Sequence, residues 1–173
     1  SYAGDTEAGA AQLQQAVDEA ERLATVEPDS ASFQEDIPIY ATPLARLRRL
    51  QGEPEAAAKL AERSLAVTEG LLSLSPDHPG WLRQRAESRV EKALQLPAAA
   101  ADARALLASA LAVLEPQLQG NTQDRATLIS TIGAQLAMAA LEAPPAAGER
   151  LRRALASCDA QTGSPLDPPP ATP

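Results

Sequence analysis

The sequence predicts an all-α protein, and three observations carry that reading. Aromatic residues make up only 2% of the 173 residues while hydrophobic residues reach 45%. The interior must therefore be built from Leu, Ala and a few Val and Ile, which suits close-packed helices and starves a sheet. Apolar residues recur at helical spacing, most cleanly at Ala103, Leu106, Leu107, Ala110, Leu111, Leu114 and Leu118. Breaker clusters such as Gly52-Glu53-Pro54 and Pro76-Asp77 separate the periodic runs.

About seven helices follow in order. The first opens near Asp5 or Thr6, either of which can cap free amides, and carries Leu13, Ala16, Val17, Ala20, Leu23 and Ala24 on one face until Pro28-Asp29. The second opens around Ser32, which has capping-box spacing to Glu35, with a stripe of Phe33, Ile37, Tyr40, Leu44 and Leu47. Pro38 lies near its start, whereas Pro43 removes an interior hydrogen bond and is expected to kink or split it. Gly52 supplies a positive φ and Pro54 opens the third helix, which runs to about Leu74. Its apolar side is Leu60, Leu65, Leu71 and Leu72; Lys59, Glu62, Arg63 and Glu69 belong to solvent. The fourth turns Trp81, Leu82, Ala86, Val90, Ala93 and Leu94 inward and closes at Pro97. The fifth ends at Gly120-Asn121, with distortion expected at Pro116. The sixth is expected from Thr122, burying Leu128 or Ile129, Ile132, Leu136 and Ala139 until Pro144-Pro145 stops it. The seventh is short, with Leu151, Leu155 and Cys158 on one side and Gly163 after it. Residues 1–160 thus form one helical domain, and residues 161–173, rich in proline, an extended mobile tail.

Charge and composition narrow the partners. Fifteen Lys+Arg against 23 Asp+Glu give a net charge of -8, which repels a phosphate backbone on average and argues against nucleic acid. The longest uncharged run, residues 126–141, holds Ser130, Thr131 and Gln135 and falls short of the ~20 apolar residues that cross a bilayer, so no membrane insertion is expected. Cys158 is alone and forms no internal disulfide. With no initiator Met and no leader pattern, the chain reads as a processed product or an excised segment. The compartment stays open, the cytoplasm being preferred to the exterior part of a membrane-anchored parent.

An internal repeat organises the chain. A shift of about 48 positions places Gly4 on Gly52, Glu7 on Glu55, Ala8 on Ala56, Leu23 on Leu71, Pro28 on Pro76, Asp29 on Asp77 and Phe33 on Trp81. A weaker copy at about 46 places Leu106 on Leu60, Leu111 on Leu65 and Val113 on Val67. These residues resemble tetratricopeptide (TPR) repeats, with Gly52, Ala57 and Pro76 in the parts of turn glycine, small residue and terminal proline. Pro76 comes about two turns late, so the second helix of each unit is longer than in the ~34-residue standard. The Pro76-Asp77 and Trp81 pattern is similar to that of long arrays in bacterial signalling proteins, beside STAND-type NTPase, TIR, caspase-like or Ser/Thr kinase domains. The resemblance implies a right-handed α-α superhelix of two-helix units in which helices two, four and six line a concave groove. Helix one is then an orphan second helix, read as part of a truncated array. No activity comes with the likeness, since such arrays are the non-catalytic part.

The residues that could carry chemistry are few. His78 is the only histidine, beside a proline-flanked turn, and reads as a surface residue. Cys158 reads as a small core residue, Trp81 as inter-unit packing, and Asp18, Glu19 and Glu21 as a solvated face without the spacing of a calcium loop. No Gly-rich phosphate loop is present, so no cofactor or enzymatic activity is expected. Basic charge concentrates on first helices, and Arg46 with Arg49, and Arg85 with Arg89, each lie one turn apart. These four arginines are the candidate partner groove for an acidic peptide or a C-terminal carboxylate, set against the plainer reading that they are solvated or paired with Glu87 and Glu91. The expected function is a non-catalytic protein-interaction or regulatory scaffold module of a larger bacterial signalling protein. The alternatives are a small-molecule sensor, which needs a closed pocket of ~300 Å³ or more, and a structural spacer or oligomerisation element.

Overall fold

The computed structural model describes residues 2–97 and 100–162, and every regular element among them is a helix. Seven helices run as α1 (Tyr2–Val26), α2 (Ala31–Leu50), α3 (Pro54–Leu74), α4 (Pro79–Ala93), α5 (Ala101–Gly120), α6 (Arg125–Ala139) and α7 (Pro144–Thr162). Each helix packs on its chain neighbours, and α2 also packs on α4 and α4 on α6. No comparable packing links α1, α3, α5 and α7 among the described residues. The even-numbered helices therefore form the inner, shorter-radius layer of an all-α superhelical array, and the odd-numbered ones its outer layer.

Local chemistry explains most of the boundaries. Gly52 adopts φ 79°, the left-handed conformation that ends α2, and Pro54 takes the first position of α3, where a missing N–H costs nothing. His78 caps α4, its Nδ1 accepting from the Trp81 amide at 3.3 Å. The Asp124 carboxylate caps α6 by accepting from the amides of Ala126 at 3.0 Å and Thr127 at 3.1 Å.

Several boundaries differ from those read in the sequence. Helix α1 already runs from Tyr2, so Asp5 and Thr6 are helical, as is Gly4, the counterpart of the turn residue Gly52. Helix α2 opens at Ala31 after Ser30, without a side-chain cap, and Glu35 accepts from Trp81 Nε1 at 2.8 Å instead of closing a capping box. It continues through Pro38 and Pro43. Each proline removes one backbone bond, and burial of Ile37, Pro38, Ala41, Thr42, Leu44 and Ala45 holds the helix across both. Helix α4 stops at Ala93, short of Pro97, and α6 starts at Arg125, not Thr122, because Asp124 takes the cap. Pro144 and Pro145 open α7, a position proline tolerates, and α7 is 19 residues long, not short. It buries Ala154 while Leu151 and Leu155 are exposed and Cys158 is only half-buried. Of the expected tail, residues 161 and 162 belong to α7 and residues 163–173 lie outside the described residues.

The interior is tightly spaced because its residues are small. Alanines outnumber all other buried apolar residues together, and Ala86, Ala103, Ala110 and Ala134 meet Leu107, Leu111, Leu114 and Met138 between α4, α5 and α6. Where α2, α3 and α4 meet, the hydroxyls of Thr42, Ser64 and Ser88 bond one another at 2.7 to 3.3 Å, so three buried polar groups satisfy each other without charge. Close approach of the helix axes is the consequence, and it leaves little room inside for large side chains.

Candidate functional site

Among the described residues the inner helices line a groove of about 560 Å³, with Arg46 and Arg49 from α2, Glu87, Val90 and Glu91 from α4, Leu94 just after it, and α6 from Ala126 to Leu136. Its chemistry starts from Glu91, which is only 1% exposed. A carboxylate this deep requires counter-charge, and it receives two: Arg46 Nε donates to Oε1 at 2.7 Å and Arg49 Nε to Oε2 at 3.4 Å. Among the described residues the Nη groups of both arginines donate no hydrogen bond. One anion thus fixes two cations, and with Glu87 across the groove the charges that line it balance.

Arg85 and Arg89 are elsewhere. Both turn to Glu69 on α3, at 3.5 and 3.2 Å, and Lys92 to Glu62 at 3.6 Å, so the basic side of α4 ties the inner layer to the outer one. The four candidate arginines therefore divide into two at the groove and two at a helix–helix seam. At the other side of the groove Glu87 is 3.6 Å from Arg83 and accepts from the Ser130 hydroxyl.

The apolar wall of the groove comes from α6, whose large apolar side chains and small or polar ones lie on different faces. Helical spacing alone suggests that Ile129, Ile132 and Leu136 go inward, yet the buried face is Thr127, Thr131, Ala134, Gln135 and Met138. Ile129 is 65% and Leu136 48% exposed, and both face the groove. The reason is size: against Ala86, Ala103 and Ala110 the small face of α6 packs closer. The hydroxyls that would have argued against burial are satisfied locally, Thr131 donating to the Thr127 carbonyl at 2.7 Å and Thr127 to Asp124 at 2.7 Å. The available signal was the run of small residues at Thr127, Thr131 and Ala134, which matches the small, buried Ser88 and Ala86 of α4.

The remaining candidates are structural. Trp81 is buried against Leu71 and Leu72, stacks on His78 at 4.1 Å between ring centroids, and reaches back to Glu35. His78 is half-buried in that stack, not a free surface residue. On α1, Asp18 accepts from Gln14, Glu19 pairs with Arg22, and Glu21 with Arg63 of α3. Among the described residues no group of three His, Cys, Asp or Glu is placed to hold a metal ion, and no helix is long and apolar enough to cross a membrane.

Comparison of the chain with protein-family models, with curated proteins and with solved structures returned no match. The functional reading therefore stands on the groove and on the resemblance of the repeat.

Proposed function

We propose that this chain is a TPR-like, non-catalytic interaction or regulatory scaffold module, part of a larger bacterial signalling protein, that binds a protein segment in the groove of its inner helices. The observation that carries the reading is the exposure of Leu94, Ile129 and Leu136 along one groove. The close-packed, alanine-rich interior has no room for these large side chains and leaves them side by side on the groove, and contiguous exposed apolar surface marks a contact site. Contacts between inner helices support the repeat: Glu35 to Trp81, Thr42 to Ser88, Arg46 to Glu91 and Glu87 to Ser130 span 43 to 46 residues, close to the sequence offset. The charged groups lining the groove are engaged with each other, which favours recognition over catalysis. The groove exceeds the ~300 Å³ a small ligand needs, but a wall that carries the exposed Leu94, Ile129 and Leu136 suits a segment of chain better than an enclosed small molecule.

The test is a random peptide-display library panned on the chain with counter-selection on Ile129→Glu/Leu136→Glu. Both side chains are exposed, so the variant keeps its fold. Peptides that bind the wild type and lose about tenfold or more on the variant support the reading; a selection yielding no groove-dependent binder refutes it.

A further inference from the structure

We propose that His78 is a proton-operated clasp: neutral, its imidazole caps α4; protonated, it releases the cap and loosens the turn by which Trp81 ties α4 to α2. The cap bond is the first observation. Nδ1 of His78 accepts from the Trp81 amide at 3.3 Å, so that nitrogen carries a free lone pair and the proton of the neutral ring sits on Nε2. Both nitrogens of an imidazolium donate, so the protonated ring cannot make this bond. It also sets a cation at a helix N-terminus, where the backbone dipole favours anions. The Trp81 amide has no substitute partner among the described residues. Pro79 brings no N–H, and Leu82, one residue further on, takes the His78 carbonyl at 3.0 Å.

The surroundings of the ring are the second observation. It stacks on the Trp81 indole at 4.1 Å between centroids, and Gly80 leaves it room, since a Cβ there would stand 3.3 Å from the imidazole Cε1. Trp81 Nε1 donates to Glu35 of α2 at 2.8 Å, and the indole packs on Leu71 and Leu72, so the capped turn sits where three helices meet. The charged groups around this corner are Glu35 from α2, Asp77 in the same turn, and Arg83 of α4 with Asp124 at the start of α6. From α3 come Leu71 and Leu72, and from α5 the Gln117 amide, which donates to the Pro79 carbonyl at 3.1 Å. The inner helices also differ at this place. Sequence shifts of 48 and 46 put His78 on Ser30 and on Asp124, the residues that open α2 and α6. Ser30 makes no side-chain cap and Asp124 caps with a carboxylate. Histidine is the side chain whose ordinary titration lies between pH 5 and 8, so it is the α4 cap that answers to mild acid.

The experiment compares the chain with His78→Asn, whose side-chain oxygen caps a helix at either pH. The indole face attracts a cation, so the ring stays stacked while its cap bond is lost, and the readout must be the cap itself. Magnetic resonance at pH 7.5 and 5.5 follows the imidazole Cε1–H and the exchange of the Trp81 amide with water, relative to its intrinsic rate at each pH. The expected result is an imidazole resonance that shifts, and a Trp81 amide that loses about fivefold in protection on acidification. In His78→Asn the same amide changes less than twofold, and amides in the middle of α5 change less than twofold in both proteins. The indole Nε1–H, bonded to Glu35, loses protection with the Trp81 amide in wild type alone. An imidazole resonance that does not move overturns the proposal, as does a Trp81 amide whose protection is steady in wild type or falls equally in His78→Asn. Cap loss with an unchanged indole N–H confines the effect to the helix end and overturns the link to α2.

Discussion

Replacing Arg46 and Arg49 together by Met is the perturbation that best tests how the groove is built. Glu91 is 1% exposed, whereas its partners Arg46 and Arg49 are 51% and 27% exposed. Removing both cations strands a buried carboxylate, which costs about 3–5 kcal/mol. Removing the anion instead, as Glu91→Gln, frees two partly exposed cations to reach water. The loss is then limited to charge-assisted hydrogen bonds, about 1–2 kcal/mol once the exposure of Arg46 is allowed for. Adding Glu91→Met to the double arginine variant removes the stranded charge and recovers stability to within about 1 kcal/mol of wild type. For a chain of this length each kcal/mol moves the melting temperature by about 2–4 °C, so the double variant melts about 6–20 °C lower. Urea denaturation followed by circular dichroism and by Trp81 fluorescence gives the free energies, with an unchanged m-value as the check on two-state behaviour. A double variant that loses less than about 1 kcal/mol, or a triple variant no more stable than the double, refutes the account of Glu91 as a buried anion held by two arginines. The same asymmetry shows why charge reversal at Arg46 and Arg49 is a poor probe of binding: it places two more acids against Glu91 and unfolds the groove it is meant to test.

Two further predictions concern helix ends. The hydrogen bonds from the Thr127 hydroxyl and amide hold the Asp124 carboxyl below its ordinary range, with Arg83 contributing less. A depressed folded pKa contributes stability above the unfolded value that is lost as pH falls through the folded one, so Asp124→Asn, which still caps, should flatten the acid limb of a stability–pH curve. Asp124→Ala should cost about 1 kcal/mol at neutral pH in urea melts. Glu142 accepts from Arg150 Nη2 at 2.6 Å and Nε at 3.0 Å, and this guanidinium holds its carboxyl low. Glu142→Gln should speed amide exchange in α7 about five- to tenfold at neutral pH, and the difference from wild type should close in acid as the pH falls through the folded value of Glu142.

Most of the array was legible because its signals are local. Gly52 and Pro54 specify a turn by backbone conformation alone, and the stripe of α5 reads inward because its apolar residues lie on one face. The ends of α2 and α6 were less legible, since capping depends on which polar side chain is already claimed: Glu35 is taken by Trp81, 46 residues away. The arginines were half legible. Their one-turn spacing placed each pair on a common side, but spacing on one helix does not say whether that side meets a groove or a neighbour. Arg85 and Arg89 meet Glu69 of α3, an acid whose position becomes relevant only once α3 and α4 pack.

The misread of α6 has the widest consequence. Its two faces compete for the interior, Ile129 and Leu136 with more apolar area to bury, Thr127, Thr131 and Ala134 with less bulk. Transfer of area alone would bury the isoleucine and leucine, by about 25 cal/mol per Å². Their exposure means that the close approach of α6 to α4 and α5 outweighs that term, because a wide side chain at the contact would push the axes apart and open voids beside Ala86, Ala103 and Ala110. An interior of small residues thus does more than hold the helices together. It excludes large apolar side chains from the core and leaves them on the inner surface, beside the arginines that Glu91 orients. In such an array the packing rule that makes the superhelix compact also assembles the apolar half of its candidate binding site.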